Sequence, residues 1–172
     1  DDMGGIFAHL REAALTMQQG GGIGYDFSTI RPRGAEVKGV AADASGPLSF
    51  MDVWDAMCRT IMSAGSRRGA MMATMRCDHP DIEAFIKAKQ DSARLRMFNL
   101  SVLVTDAFME AVYADADWHL RCPHSGEVRG TIKARQLWER ILEVRFRTGE
   151  PYLNFIDAAN RELNPFQKKL GL

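Results

Sequence analysis

The chain has 172 residues, 46% hydrophobic and 26% charged, which is typical of one globular domain. Its 22 basic and 22 acidic residues balance, so the composition argues against partners that require a charged field, such as nucleic acid or an acidic membrane surface. No apolar run reaches the roughly 18 to 20 residues that a membrane span needs. Three cysteines without a CxxC pair indicate free thiols and a cytoplasmic setting.

The first part of the chain predicts two helices separated by a short strand and a long loop. Apolar residues recur at helical spacing from Met3 to Gln19, and the glycines that begin at Gly20 end that helix. IGYDF fits a short strand. The stretch from Ser28 to Pro47 is rich in Gly, Pro, Ala and charge, and loops of this length are commonly functional. Leu48 to Ser63 predicts the second helix.

The second part predicts strands alternating with helices. MMATM indicates a short strand, and DHPDIEAFIKAK indicates a helix with Asp78 as its cap and Pro80 in its first turn. MFNLSVLVT is the clearest strand. The remaining elements are a short helix at Asp106–Tyr113, an irregular segment to about Thr131, a long helix in IKARQLWERILEVRFRTG and a last strand in PYLNFID. This alternation predicts an α/β fold with mostly parallel strands, in a sheet or barrel.

Two loops combine glycine with basic residues, a composition that suits anion binding. GGGIGYDFSTIRPRG lacks the third glycine or alanine of a dinucleotide fingerprint and follows a helix instead of a strand, and the chain has no P-loop. SAGSRRGA places adjacent arginines between a helix and a strand, where guanidinium groups can pair with oxyanions. Each loop alone also fits an ordinary surface turn; two such loops on either side of one helix favour a binding function.

The other candidates for chemistry are weaker. Cys77, His79 and Glu83 fall short of a metal ligand set, so no metal site is predicted. Cys58 lies within the second predicted helix, where a small buried thiol is the ordinary interpretation. Cys122 precedes His124, but no group that would orient a catalytic base accompanies them. The sequence therefore predicts no catalytic residue within this chain.

Taken in order, several segments resemble the catalytic large chain of ribonucleotide reductases over nearly the whole length. They are GGGIGYDFSTIRPRG, GPLSFMDVWDA, GSRRGAMMATMRCDHPDIEAFIKAK, FNLSVLVTDAFM, ARQLWERI and TGEPYLNFIDAANR. RRGAMMATMRCDHPDIEAFI most resembles the adenosylcobalamin-dependent class. The resemblance implies a ten-stranded α/β barrel made of two parallel halves, with residues 1–172 forming a single partial domain in the first half.

The resemblance also implies a role for each loop. Asp2 matches an acidic residue that holds the sugar hydroxyl of a deoxynucleotide effector. Arg31 and Lys38 match basic positions near the phosphates of that effector. Gly21 and Gly22 match a turn that lines the substrate nucleotide. Arg67 and Arg68 belong to a second loop, which relays the identity of the effector to the substrate base.

The chemistry implied for the family is thiyl-radical reduction of ribonucleotides to deoxyribonucleotides. None of the three cysteines matches a redox or radical position, so the chain alone is expected to be inactive. The implied partners are a ribonucleotide, a deoxynucleoside triphosphate, a second copy packed through the long helices, and a thioredoxin-like reductant. Two alternatives stay open: a large chain of the class with a separate radical-generating subunit, and a non-catalytic nucleotide-binding or assembly module. Both chain ends resemble cuts through a longer polypeptide.

Overall fold

The centre of the molecule is a four-stranded parallel sheet. The computed structural model describes residues 2–37, 42–62, 71–91 and 93–169. Four strands lie side by side in the following order: Ile23–Asp26 (β1), Met71–Arg76 (β2), Phe98–Val104 (β3) and Tyr152–Phe155 (β6). All neighbours in this sheet run parallel. A separate antiparallel hairpin is formed by Asp117–Arg121 (β4) and Val128–Lys133 (β5).

Helices connect the parallel strands, as parallel pairing requires. The connecting helices are Pro47–Met62 (α2), Ile82–Lys87 (α3), Asp106–Tyr113 (α4) and Ala134–Thr148 (α5), while Met3–Gln18 (α1) precedes β1, and Ile156–Arg161 (α6) and Pro165–Lys169 (α7) follow β6. The predicted α/β class with alternating helices and parallel strands is confirmed. In the described part of the chain, no helix combines the length and apolar character needed to cross a membrane.

Local sequence signals explain several element boundaries. Pro47 occupies the first position of α2, where its fixed φ suits a helix and its missing N–H costs nothing. The hydroxyl of Thr105 caps α4 by accepting a hydrogen bond from the backbone N–H of Phe108 at 3.2 Å. Gly149 ends α5 with a φ of 80°, in the left-handed conformation that glycine adopts without strain.

The core lies around β2 and β3, which are the two inner strands. β3 is buried at every position except Asn99, as expected for a strand covered on both faces. The largest fully buried side chains include three phenylalanines that come from different elements, namely Phe85, Phe98 and Phe108. Edge-to-face aromatic contacts join Phe27, the residue directly after β1, to Trp54 of α2 and to Phe98 of β3.

A half-buried ion pair fixes the amino end of β3. The Lys89 ammonium donates to the Glu150 carboxylate at 2.9 Å and to the carbonyl oxygen of Phe98 at 2.6 Å. The other Glu150 oxygen accepts a hydrogen bond from the backbone N–H of Leu100 at 2.9 Å. The Lys89–Glu150 pair therefore satisfies backbone groups of β3 at the point where that strand begins.

The prediction of an irregular segment up to about Thr131 is wrong. Residues 117–133 form the β4–β5 hairpin, and α5 begins only at Ala134 because Ile132 and Lys133 belong to β5. The base of the hairpin is closed by a hydrogen bond from the Ala134 N–H to the Ala116 carbonyl at 3.0 Å. Its strands are short and mostly exposed, so they lack the apolar run that marks a buried strand.

The prediction that Asp78 caps a helix is also wrong. The helix in this region, α3, begins at Ile82, and its N-cap position is Asp81, whose side chain makes no capping bond. Asp78 instead forms a two-bond ion pair with Arg76, at 2.8 and 2.6 Å. The segment from Cys77 to Asp81 is a turn. The Asp78 carboxylate binds the Arg76 guanidinium and does not cap a helix.

Candidate functional site

The two ends of the parallel sheet hold different sets of the predicted site residues. Ile23 is aligned with Met71 and Asp26 with Thr74, so β1 and β2 begin at one edge and extend to the other together. Gly21 and Gly22 precede β1 at the amino edge. Met71, the first residue of β2, lies at that same edge. Arg67 and Arg68 lie outside the described residues.

The predicted glycine turn is a tight helix ending. Gly20 has a φ of 84°, and the Gly21 N–H donates to the Thr16 carbonyl at 3.0 Å. A Cβ at Gly21 would lie only 2.7 Å from the Thr16 methyl carbon, so a side chain cannot be added without moving the turn. Gly22 is exposed beside it. The arrangement presents bare backbone at the amino edge, where a ligand can approach closely.

Asp2 lies at the other end of α1 and is the cap of that helix. Its carboxylate accepts a hydrogen bond from the Gly5 N–H at 2.8 Å. A Cβ at Gly5 would lie 2.8 Å from this carboxylate, so the glycine makes room for the cap. Asp2 is exposed. The side chain that was predicted to bind an effector therefore has a local structural function as well.

Arg31 lies in the long loop that leaves the carboxyl edge of β1. Its guanidinium donates to the Glu36 carbonyl at 3.1 Å, within the same loop. The two arms of the loop pair with each other: the Gly34 N–H donates to the Ala44 carbonyl at 2.9 Å, and the Ala44 N–H donates to the Ala35 carbonyl at 2.8 Å. Lys38 lies outside the described residues. Backbone hydrogen bonds therefore hold together the two described arms of the loop that carries Arg31.

The base of this loop is attached to the turn after β2 by two side chains. His79 is buried, and its Nε2 lies 2.9 Å from the Ile30 carbonyl, while its Nδ1 lies 3.0 Å from the Asp81 N–H. The Asp81 carboxylate accepts a hydrogen bond from the Arg33 N–H at 2.9 Å. Burial lowers the pKa of His79, against an opposing effect of its bond to Ile30 and of nearby carboxylates. The neutral form is thereby favoured.

Asp26 organises the carboxyl ends of β1 and β2. One of its carboxylate oxygens accepts hydrogen bonds from the Ser28 N–H at 3.0 Å and from the Thr74 hydroxyl at 3.1 Å, and a third from the Ser28 hydroxyl. The Ser28 oxygen in turn accepts from the Arg76 N–H at 2.8 Å. These bonds fix the direction in which the chain leaves β1 and enters the loop that carries Arg31.

Asp2 and Arg31 do not lie with the two glycines. Arg31 follows the carboxyl end of β1, whereas Gly22 precedes its amino end. α1 has 16 residues, a length of about 24 Å, and it ends beside Gly20, so Asp2 lies far from that turn. The Tyr25 hydroxyl donates to the His9 carbonyl at 2.9 Å, which holds β1 against α1. The glycines predicted to line the substrate thus lie at one end of α1 and β1, and the predicted effector residues Asp2 and Arg31 lie at the other.

All three cysteines are buried, and none of them forms a disulfide bond. Burial raises the pKa of Cys77 to about 11 and raises that of Cys58, with the Asp55 carboxylate adding to the effect. These two thiols are therefore poor nucleophiles, because the thiolate is the reactive form. At Cys122 burial raises the pKa, but hydrogen bonds from Ser125 and His124 outweigh it and the net shift is downward. The described residues contain no cluster of three or more metal-ligating side chains.

The most informative pair of side chains, His79 and Asp81, was not assigned to the site from the sequence. His79 was weighed only as a metal ligand, and Asp81 only as part of a helix start. Their hydrogen bonds join positions 48 and 49 residues apart, a distance at which one sequence gives no direct signal. The Pro80 between them was the available hint, since it breaks the helix and leaves a turn with side chains free to reach the loop.

Known proteins of one enzyme family resemble this chain. A family model described as ribonucleotide reductase, barrel domain, matches residues 1–171. A vitamin B12-dependent ribonucleoside-diphosphate reductase from Mycobacterium tuberculosis is 41% identical over 94% of this chain, and one from Thermoplasma acidophilum is 39% identical over 96%. A ribonucleoside-diphosphate reductase large subunit from Caenorhabditis elegans is 31% identical over 99%. The chain covers 23%, 22% and 25% of these relatives, respectively. The chain belongs to the ribonucleotide reductase family and matches the barrel domain of that family.

Proposed function

We propose that this chain is the N-terminal half of the catalytic barrel of a ribonucleotide reductase, which converts ribonucleotides to deoxyribonucleotides by thiyl-radical chemistry. In this proposal, residues 1–172 form one partial domain. They carry the specificity site for a deoxynucleotide effector and part of the substrate site. The observation that carries the proposal is the division of the sheet into two ends: bare glycine backbone at one, and a basic loop fixed by hydrogen bonds at the other.

The effector end consists of Asp2, Arg31 and Lys38. A triphosphate is bound by cationic side chains, and Arg31 and Lys38 provide them on one loop. Asp2 supplies a carboxylate for a sugar hydroxyl while it caps α1. In the same proposal, Arg67 and Arg68 transmit the identity of the effector to the substrate base, and Gly21 and Gly22 line the substrate.

The separation of these ends supports a functional dimer. Within one chain, the effector residues and the glycine turn are separated by roughly the length of a 16-residue helix, about 24 Å. Two copies whose α1 and α2 helices pair in opposite directions bring the effector end of one against the substrate end of the other. α1 exposes Met3, Phe7 and Leu15, which are suited to such an interface.

The described residues do not fit a bound cobalamin. Imidazole is the usual side-chain ligand for a metal, yet both ring nitrogens of His79 are occupied by hydrogen bonds, and none of the four histidines belongs to a cluster of three or more metal-ligating side chains among the described residues. We therefore assign no contact with adenosylcobalamin to this chain and derive no step through it. The vitamin B12-dependent relatives favour that cofactor for the full-length enzyme, while the C. elegans relative favours the class with a separate radical-generating subunit.

The radical and redox steps belong, in this proposal, to residues outside the chain. Cys58 and Cys77 are buried and held as thiols, which does not suit exchange with a thioredoxin-like reductant. What the chain supplies is position: a substrate turn, an effector loop and a rigid sheet between them.

The test is calorimetric titration of the full-length polypeptide that carries this chain with dATP, dGTP, dCTP and dTTP. Arg31→Gln should weaken effector affinity about tenfold or more, because a charge-assisted bond to phosphate is lost. Arg147→Gln is the matched control, since Arg147 is exposed on α5 and forms a surface ion pair with Glu143 at 2.7 Å, one helical turn away. Equal affinity in wild type and Arg31→Gln would remove Arg31 from the effector site; absence of binding to folded wild type would overturn the proposed function of the loop.

A further inference from the structure

We propose that His79 and Asp81 are positioning residues that set the effector affinity of the loop carrying Arg31. They hold the backbone on both sides of Arg31, at Ile30 and at Arg33, and so fix where its guanidinium can reach. This inference rests on the proposed effector function of that loop. It concerns two side chains whose proposed action is exerted through the backbone of the loop.

His79 holds the first point with a defined tautomer. Its Nδ1 must accept, because the neighbouring group is the Asp81 N–H at 3.0 Å. The proton therefore resides on Nε2, which donates to the Ile30 carbonyl at 2.9 Å. Only 2% of His79 is exposed, so water cannot easily replace either bond. A neutral imidazole in this place is both a donor to the loop and an acceptor for its own turn.

Asp81 holds the second point and brings the two arms of the loop together. Its carboxylate accepts from the Arg33 N–H at 2.9 Å. Gly46, at the returning end of the loop, packs on the same spot: a Cβ there would lie 2.9 Å from the Arg33 nitrogen and 3.0 Å from the Asp81 oxygen. The outgoing and returning arms therefore converge on one carboxylate.

Fixing these points matters because an arginine binds phosphate well only if its backbone is already placed. The loop arms pair at Gly34, Ala35 and Ala44, but those bonds lie within the loop and do not attach it to the sheet. The His79–Asp81 pair provides attachment to the turn after β2. Without it, the effector would have to order the loop on binding, and that cost reduces affinity.

Two amide substitutions can separate the two hydrogen bonds of His79, because each retains only one of its hydrogen-bonding atoms. The amide nitrogen of a glutamine can take the place of Nε2, and the amide oxygen of an asparagine can take the place of Nδ1. We expect His79→Gln to keep effector affinity within about threefold of wild type, because the bond to Ile30 is retained. His79→Asn should weaken affinity about tenfold, the effect of losing roughly one hydrogen bond.

Asp81 offers a second matched pair. Asp81→Asn retains an oxygen that accepts from the Arg33 N–H and should keep affinity near wild type. Asp81→Leu cannot accept and should weaken it about tenfold. Affinity is measured by calorimetry with the four deoxynucleoside triphosphates on the full-length polypeptide, and thermal unfolding is recorded for each variant.

The outcomes are distinguishable. If wild type binds and Arg31→Gln weakens binding, but His79→Asn and Asp81→Leu bind as wild type does, the positioning role is wrong and the proposed function stands. If His79→Gln and His79→Asn lose affinity equally, in proportion to their loss of stability, His79 is only structural and the inference is again overturned. Failure of folded wild type to bind any of the four nucleotides overturns the proposed function itself.

Discussion

Two pairs of side chains, Lys89–Glu150 and His79–Asp81, make similar hydrogen bonds but hold different parts of the molecule in place. Each pair satisfies backbone groups of a distant segment from a buried or half-buried place. The first holds β3, one of the two inner strands of the sheet. The second holds a loop that leaves the sheet. The difference teaches that the same kind of contact supports the fold or the site according to which backbone it holds.

The pairs also differ in charge. Lys89 and Glu150 are a cation and an anion with 21% and 15% of their side chains exposed, so removal of one leaves an unpaired charge in a poorly solvated place. His79 contributes to its pair as a neutral group, because burial favours its uncharged form. Loss of the ion pair should therefore cost more stability than loss of either His79 hydrogen bond.

The largest expected effect is that of Lys89→Met. It removes the cation from Glu150 and the donor from the Phe98 carbonyl, and the free energy of unfolding should fall by about 3 kcal/mol. Chemical denaturation measures this. Lys87→Met is the control: Lys87 is exposed in the neighbouring helix, and its replacement should change stability by less than about 0.5 kcal/mol. Effector affinity of folded Lys89→Met should equal that of wild type. A loss of affinity without a loss of stability would contradict the division between the two pairs.

A smaller effect is expected at Asp2, where a structural and a proposed functional role meet in one side chain. Asp2→Ala should reduce stability by about 1 kcal/mol, because the Gly5 N–H loses its cap. Asp2→Asn should restore stability, since asparagine caps helices as well as aspartate does. Its effector affinity should stay below that of wild type, because the bond to a sugar hydroxyl is no longer charge-assisted. Unchanged stability in Asp2→Ala would show that the cap contributes nothing.

The smallest effect is a pH dependence that arises from His79. Its pKa in the folded protein is below the ordinary value of 6.5, chiefly because of burial, although Asp81, Asp78 and Asp26 oppose the shift. The unfolded chain therefore binds a proton first as pH falls through 6.5, and stability should decline from there towards the folded pKa, by at most about 1.4 kcal/mol per pH unit. Above 6.5 the contribution is complete. Thermal unfolding at pH 7.5 and pH 5.5 should show a smaller difference for His79→Gln than for wild type; identical differences would exclude His79 as the source.

Much of the sheet could be predicted from the sequence because its strands and helices carry strong local patterns. β3 is a nearly continuous apolar run, and α5 combines a helical period with a glycine ending. The glycine stop after α1 was likewise visible. Local patterns could not assign functional roles. The roles proposed for Asp2, Arg31 and the glycine turn came from the family resemblance, which rests on six segments in order.

The remainder depended on contacts between distant positions. Asp78 matched the pattern of a helix cap, but Arg76 paired with it and the helix began later, at Ile82. The β4–β5 hairpin was not predicted, because the pairing of its two strands defines it and their apolar content does not mark it. The His79–Asp81 pair escaped for the same reason, since its partners Ile30 and Arg33 belong to a loop far away in the chain.

The β4–β5 hairpin provides a practical way to observe the turn that holds the loop carrying Arg31. The Trp118 indole donates to the Cys77 carbonyl at 3.1 Å, and the Arg121 N–H donates to the Asp78 carbonyl at 2.7 Å, so the hairpin rests directly on that turn. Its exposed tip can carry a thiol-reactive spectroscopic label after the substitution Ser125→Cys, and the indole of Trp118 is a natural fluorophore beside the turn. Binding at a loop that contains neither group could then be followed as a change in emission or label mobility, with the sheet left unaltered.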